Sequence, residues 1–276
     1  KKQKRSVPDT RFNGDVSAHK MFDAMPASLE ELKAIRVAVP DSTINDVVLC
    51  ICGGALRHYL EHHGELPSTS LVAWVPINAR TSAGSAHDRP GNKVTSMTAP
   101  IHTDIEDPVE RLQLIMAATK RSKAAKSGVS ARLMTDLSQH VPAATQVVAS
   151  RLVLNAGRSV RMCNLFISNV PGPQVPLYMN GARQVGAFGM APLANGMGLF
   201  IATPSYNGQL FFNVTSTREV MPDIQFFIEC LQKSLDELKA AAMPKKKQAK
   251  KKKKTAKKVR AVRSKTKTNG HRPAAG

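Results

Sequence analysis

The sequence predicts a mixed α/β chain, an α+β sandwich in which helices cover a sheet of strands distant along the chain. Three observations predict it. Capped segments with apolar residues at helical spacing dominate the first 125 residues. Short β-branched and aromatic runs, "CNLFISNV", "MGLFIATPSY" and "QLFFNVTSTR", follow after residue 162. Between the last two stands Asn207-Gly208, a strong signal for a two-residue hairpin turn.

In chain order, "SLEELKAIRVAV" starts with a capping box in which Ser28 and Glu31 each satisfy a backbone N–H of the other's turn. Leu29, Leu32, Ile35 and Val39 give it one apolar face, and Pro40 ends it. The next helix, "DSTINDVVLCICGGALRHYLEHHG", carries a wide apolar face from Ile44 to Leu60, with Gly64 as its expected C-terminal cap. Gly53-Gly54 inside it cost about 1 kcal/mol each relative to Ala, which points to a close-packed neighbour. "LVAWVPINAR" reads as a buried strand interrupted by Pro76, and "GNKVTSMTAPI" alternates Val94, Ser96 and Thr98 as a strand. "DPVERLQLIMAATKRSKAAK" begins a helix with Asp107 as N-cap, Pro108 in its first position and Glu110 closing a box. "VSARLMTDLSQHV" and "AATQVVASRLVLN" read as helical pieces broken at Pro142. "PDIQFFIECLQKSLDELKAAA" is a last amphipathic helix.

Charge is concentrated at the ends. The net charge is +20, yet residues 245–272 hold 15 Lys and Arg with no acid, and "KKQKR" at the start holds four more. The body is left with 21 basic against 20 acidic residues. Residues 244–276 have little to bury and repel themselves, so disorder is expected there. Cys50, Cys52, Cys163 and Cys230 have neither disulfide-framework nor zinc spacing and read as reduced, cytosolic thiols. No signal peptide is visible, and no apolar run approaches the ~20 residues that cross a bilayer.

"YLEHHGELP" raises the question of a catalytic base, since a histidine pair can move protons near neutral pH. His62 and His63 follow the last apolar residue of their helix, which reads as a solvated turn at the negative end of the helix dipole. Asn45 and Asp46 can bond backbone groups in the first turn of their helix. Gly91-Asn92 is first a turn signal. "SNVPGP" sets Ser168 and Asn169 before a rigid turn made by Pro171, Gly172 and Pro173 at a strand end, where pockets often lie.

An ordered set of motifs carries a resemblance: "FNGDVSAHK" (12–20), "TINDVVLCICGGALRHYL" (43–60), "VPINAR" (75–80), "GN" (91–92), "SNVPGP" (168–173), "PLYMNGA" (176–182), "SYNGQLFF" (205–212) and "PD" (222–223). In that order they resemble the bacterial, mycobacterial-type wax ester synthase/acyl-CoA:diacylglycerol acyltransferase family. The resemblance implies a two-half fold like chloramphenicol acetyltransferase with a tunnel between the halves. It also implies an HHxxxDG motif whose second histidine deprotonates the acceptor hydroxyl. Here Pro67 and Ser68 stand where Asp and Gly are required, and the pair follows "NDVV" instead of preceding it. His62 and His63 are therefore not that pair, and no catalytic residue or metal ligand is assigned. The chain is expected to be a fragment: 1–66 the end of the N-terminal half and crossover, 67–243 the C-terminal domain, 244–276 the basic tail. It is expected to be inactive alone.

The tunnel candidates under this resemblance are Asn45, Asp46, Arg80, Asn92, Ser168, Asn169, Pro171 and Gly172. For Asn45 and Asp46 a packing role competes with substrate contact. For Arg80 a carboxylate partner competes with a CoA phosphate. No cofactor is expected beyond acyl-CoA as substrate, with diacylglycerol or a fatty alcohol as acceptor and a separate N-terminal half as a candidate partner. The tail suits an anionic membrane or lipid droplet surface better than nucleic acid, because it has no interleaved aromatics and the body no reader fold. A non-catalytic lipid- or nucleic-acid-binding protein is the alternative.

Overall fold

The computed structural model of the chain describes residues 7–78, 94–124 and 161–243. The helical pieces expected around Pro142 and the Lys-rich tail lie outside them. The strands are β1 (Lys20–Ser28), β2 (Val72–Asn78), β3 (Val94–Pro100), β4 (Leu165–Val170), β5 (Tyr178–Met179), β6 (Ala182–Arg183), β7 (Phe200–Tyr206) and β8 (Gln209–Thr217). The helices are α1 (Leu29–Ala38), α2 (Ile44–His62), α3 (Pro108–Ala124) and α4 (Ile224–Ala242).

Six strands form one mixed sheet in the order β1-β8-β7-β4-β2-β3, and β5 and β6 form a separate small hairpin. Asn207 and Gly208 both take positive φ (46° and 82°), as the turn between β7 and β8 requires. β4 pairs in parallel with both β7 and β2, so two long crossovers are built into the centre of the sheet. The remaining pairs, β1·β8, β7·β8 and β2·β3, are antiparallel.

The four helices pack on one another and against one face of this sheet. That face is made by alternate residues: Ala73 and Val75 of β2, Met97 and Ala99 of β3, Leu165 and Ile167 of β4, Ile201 of β7 and Val214 of β8, all buried. α2 is the hub and is buried from Asp46 through Leu56. Its paired glycines have the close neighbours their cost demands. A Cβ on Gly53 would stand 2.3 Å from the Ile101 carbonyl oxygen, and one on Gly54 2.2 Å from Ser234 Oγ. Gly64, at φ 66°, ends α2 as expected.

Three local expectations change. β2 runs straight through Pro76, which lies opposite Ser96. β4 pairs with β2 only at Ala73 and Trp74, so at Pro76 the strand is paired on one side, where a missing N–H is tolerated. The box at α1 is made on one side only: Ser28 Oγ accepts from the Glu31 N–H, while the Glu31 carboxylate reaches across to Lys239 of α4. β1 was not signalled at all. Its neighbour β8 supplies the ladder along its whole length, from Lys20↔Thr217 to Ser28↔Gln209.

Candidate functional site

Of the expected site residues, Ser168 lies on the sheet face turned away from the helices. In register across β2, β4 and β7 lie Trp74, Phe166 and Phe200. Their ring centroids are 5.4 and 5.5 Å apart, and all three rings are half-buried. Offset contacts of this kind stiffen the row and present an apolar strip. The next row toward the carboxyl ends of β4 and β7 changes character: Ser168, Ala202, Asn213 and Ala24 follow one another from β4 to β1. Two alanines leave space on either side of the Asn213 carboxamide. Its Nδ2 donates to the Ala187 carbonyl at 3.4 Å, and its buried Oδ1 has no partner among the described residues.

Strand alternation sends Ser168 to this face and Asn169, one residue on, to the helical side. The turn after them is rigid for a visible reason. Gly172 donates its N–H to Ser205 Oγ (3.2 Å), and a Cβ there would lie 2.2 Å from the Ser205 carbonyl oxygen. Pro171 is exposed, and the Pro173 carbonyl accepts from the Asn207 N–H, which ties this turn to the β7–β8 hairpin.

Asn45 and Asp46 sit elsewhere. Arg57 of α2 donates to the Thr103 carbonyl, just past β3, and Tyr59 meets Arg11, whose neighbour Asn13 bonds the Cys163 carbonyl before β4. The carboxyl half of α2 is thus fixed at the amino ends of β2 and β4, and its amino end runs toward their carboxyl ends. Asn45 is half-buried there. Asp46 closes a full capping box with Thr43 and accepts from the Thr119 hydroxyl of α3 at 2.8 Å, so both carboxylate oxygens are engaged within the fold. Of the pair, Asp46 has a packing role. Arg80 and Asn92 lie outside the described residues.

His62 is exposed, as a solvated turn implies, but His63 is engaged within the fold. His63 Nε2 lies 3.1 Å from Asp223 Oδ2, and its ring packs on Tyr59 with centroids 4.6 Å apart. Tyr59 donates its hydroxyl to Asp223 Oδ1 (2.6 Å) and accepts from Arg11, which is also paired in bidentate fashion with Glu65 at 2.7 Å. His62 rests on Phe226, with centroids 4.4 Å apart. The network joins the N-terminal segment, the end of α2 and the start of α4 in the helical layer, with the sheet between it and the aromatic strip. Partial burial pushes the Asp223 carboxyl up, but the Tyr59 hydroxyl, its own backbone N–H and His63 outweigh this and hold it below the usual value. The Arg11 guanidinium does the same to Glu65.

All four cysteines are free and buried. Burial pushes the Cys50 thiol up to about 12 and those of Cys163 and Cys230 to about 11, and raises Cys52 as well, which disfavours the thiolate at each. Among the described residues no group of three His, Cys, Asp or Glu could hold a metal ion. No described helix is long and apolar enough to cross a membrane.

Sequence reasoning missed Asn213 and the aromatic row. A polar amide within the alternating run "LFFNVTST" was a usable signal for the first. The second depends on the register of three strands, which no local pattern supplies.

The described residues form a mixed α/β fold, one helical layer on a six-stranded sheet whose opposite face bears apolar and amide groups. The solved structure of a wax ester synthase/diacylglycerol acyltransferase from Marinobacter aquaeolei superposes with a TM-score of 0.67 and 27% identity, over 86% of this chain and 52% of that one. The epimerization domain from the third module of tyrocidine synthetase B shares the fold, with a TM-score of 0.57 at 12% identity. Two Mycobacterium tuberculosis proteins named for diacylglycerol O-acyltransferase are 34% and 36% identical over 236 and 245 residues, each match covering 85% of this chain. The matches cover 47% and 51% of those proteins, so the chain spans about half the length of the curated relatives it matches. The WS/DGAT C-terminal domain family matches residues 90–239, and the chain belongs to that family.

Proposed function

We propose that this chain supplies one wall of an O-acyltransferase site that moves a fatty acyl group from acyl-CoA to diacylglycerol or a long-chain alcohol. The observation that carries the reading is the sheet face opposite the helices, where the strip Trp74–Phe166–Phe200 borders the Ser168–Asn213 row. An apolar strip suits an acyl chain, and a row holding a hydroxyl and an amide on either side of Ala202 suits the polar reacting end. The names of the relatives support the same substrates. In this reading residues 1–66 close the first half of the enzyme and 67–243 form the second. The expected tunnel residues Asn45, Ser168, Asn169, Pro171 and Gly172 belong near the carboxyl ends of β4 and β7, and Arg80 and Asn92 stay candidates by resemblance alone.

In the reaction the acceptor hydroxyl oxygen attacks the thioester carbonyl carbon while a base removes its proton. The C–S bond then breaks, and the departing thiolate takes up a proton to give free CoA and the ester. The 276 residues contain no HHxxxDG, and His62 and His63 sit in the helical layer, with the sheet between them and the aromatic strip. The chain alone is therefore inactive on this reading. The 15 cations between residues 245 and 272 would hold the protein at an anionic membrane or lipid droplet surface.

An acyl-CoA/diacylglycerol assay tests this, on residues 1–276 alone and mixed with the N-terminal half of a homologue. Turnover only in the mixture, reduced by Phe166→Ala, is the expected result. Turnover by the chain alone that survives His62→Ala with His63→Ala would reveal another base and overturn the reading.

A further inference from the structure

Asn213 is completely buried on β8, and its Oδ1 accepts from no described residue. The orientation of its carboxamide is fixed, because the Ala187 carbonyl needs a donor and so faces Nδ2, at 3.4 Å. An acceptor buried without a partner is destabilising and rare enough to need an explanation. Its surroundings leave room for one. Ala202 of β7 and Ala24 of β1 flank it in register, and both are half-buried, as is Ser168 beyond Ala202. The row therefore reaches solvent one strand away from the amide, with nothing larger than a methyl group between Asn213 and Ser168. The segment after β6 crosses β8 here, where the Thr215 hydroxyl takes the Ala191 N–H at 3.4 Å, and it roofs the amide at Ala187.

We propose that Asn213 Oδ1 is the acceptor for the amide N–H of the pantetheine arm of acyl-CoA, a positioning contact that rests on the acyltransferase reading. The substrate groups leave little choice. The acceptor alcohol has one donor, the hydroxyl whose proton goes to the base. The thioester carbonyl and the glycerol esters only accept. In acyl-CoA the donor nearest the reacting carbon is the pantetheine amide, separated from it by a sulfur and two methylenes. That short arm fits the step of ~7 Å between consecutive rows on one strand face. An acyl chain along Trp74, Phe166 and Phe200 would then set the amide at the Asn213 row. A hydrogen bond at this place fixes the thioester along the groove without touching the atoms that react.

The test is acyl transfer by residues 1–276 mixed with the N-terminal half of a homologue, with two fatty acyl thioesters compared as donors. One is the thioester of N-acetylcysteamine, which is the end of the pantetheine arm. The other is the thioester of mercaptoethyl acetate, in which an ester oxygen replaces the amide N–H at nearly the same shape. The wild-type chain should favour the amide by about tenfold in kcat/KM. Asn213→Ala and Asn213→Leu should each bring that ratio close to one, whereas a mere packing defect would lower both rates and keep the ratio. Wild-type turnover without preference, or a preference that survives both substitutions, would overturn the inference and leave Oδ1 to a buried water. No turnover with these donors or with acyl-CoA would sink the acyltransferase reading itself, and this inference with it.

Discussion

The Thr119 hydroxyl donates to Asp46 Oδ1 at 2.8 Å, so one buried carboxylate joins the first turn of α2 to the last turns of α3. The other oxygen, Oδ2, takes the Thr43 backbone N–H and hydroxyl.

Asp46→Ala removes the carboxylate half of the α2 capping box and the bond from Thr119, whose hydroxyl keeps the Met116 carbonyl. Losing these bonds should cost roughly 1–2 kcal/mol in urea unfolding. Thr119→Val, which leaves the capping box intact, should cost less. A loss confined to ligand binding, with unchanged unfolding, would return Asp46 to the list of site residues.

Gly53→Ala should destabilise although alanine is the better helix former by about 1 kcal/mol. The added Cβ meets the Ile101 backbone oxygen, which cannot move without shifting the segment after β3. An overpacking cost of about 1–3 kcal/mol outweighs the propensity gain. Gly54→Ala differs, because the nearest obstacle is the Ser234 hydroxyl. The double change Gly54→Ala with Ser234→Ala should recover part of the loss, and calorimetry of the three variants decides it.

Asp223 and Glu65 have folded-state pKa values below their ordinary ones. Groups shifted in this direction stabilise the fold above the unfolded carboxylate pKa, and the contribution disappears as pH falls through the folded value. Stability should therefore drop below about pH 4. Tyr59→Phe removes the hydroxyl bonded to Asp223. The stability gap between this variant and wild type should be widest near neutrality and narrow in acid. Urea midpoints measured across pH would show a constant gap if Tyr59 acts only through packing.

The four thiols are buried and raised by burial, and their labelling tests the interior directly. Near about pH 8 an aromatic disulfide reagent should leave them unmodified in the folded chain and titrate all four in urea. Rapid labelling without denaturant would show that the core around α2 opens readily.

The helix ends were legible in the sequence because caps are local: Ser28, Asp107 and Gly64 act within one turn of their own backbone. The β7–β8 turn was equally plain in Asn207-Gly208. β1 was not, since "KMFDAMPAS" has neither alternation nor β-branched residues and becomes a strand only because β8 offers it a ladder. The Asn180-Gly181 turn carried the same signal as Asn207-Gly208, but two-residue strands leave no periodic pattern beside it. Ser168 and the turn after it could be placed at a strand end. The split of Ser168 and Asn169 between two faces required the register. His63 is the clearest case of tertiary override. Nothing in "EHHGELP" announces Asp223, which arrives from the start of α4.

The pairing of β1 with β8 also sets the order in which the molecule can assemble. The earliest described strand to leave the ribosome has its ladder partner in the latest one. Until residue 217 has emerged, the backbone of β1 has no sheet to join. The growing chain must carry an unpaired strand next to the already formed helices α1 and α2. Closing so long a loop is slow, because its entropy is lost before any contact compensates it. During that interval the waiting strand is open to the β8 of another nascent copy, a route by which β1 could exchange between neighbours.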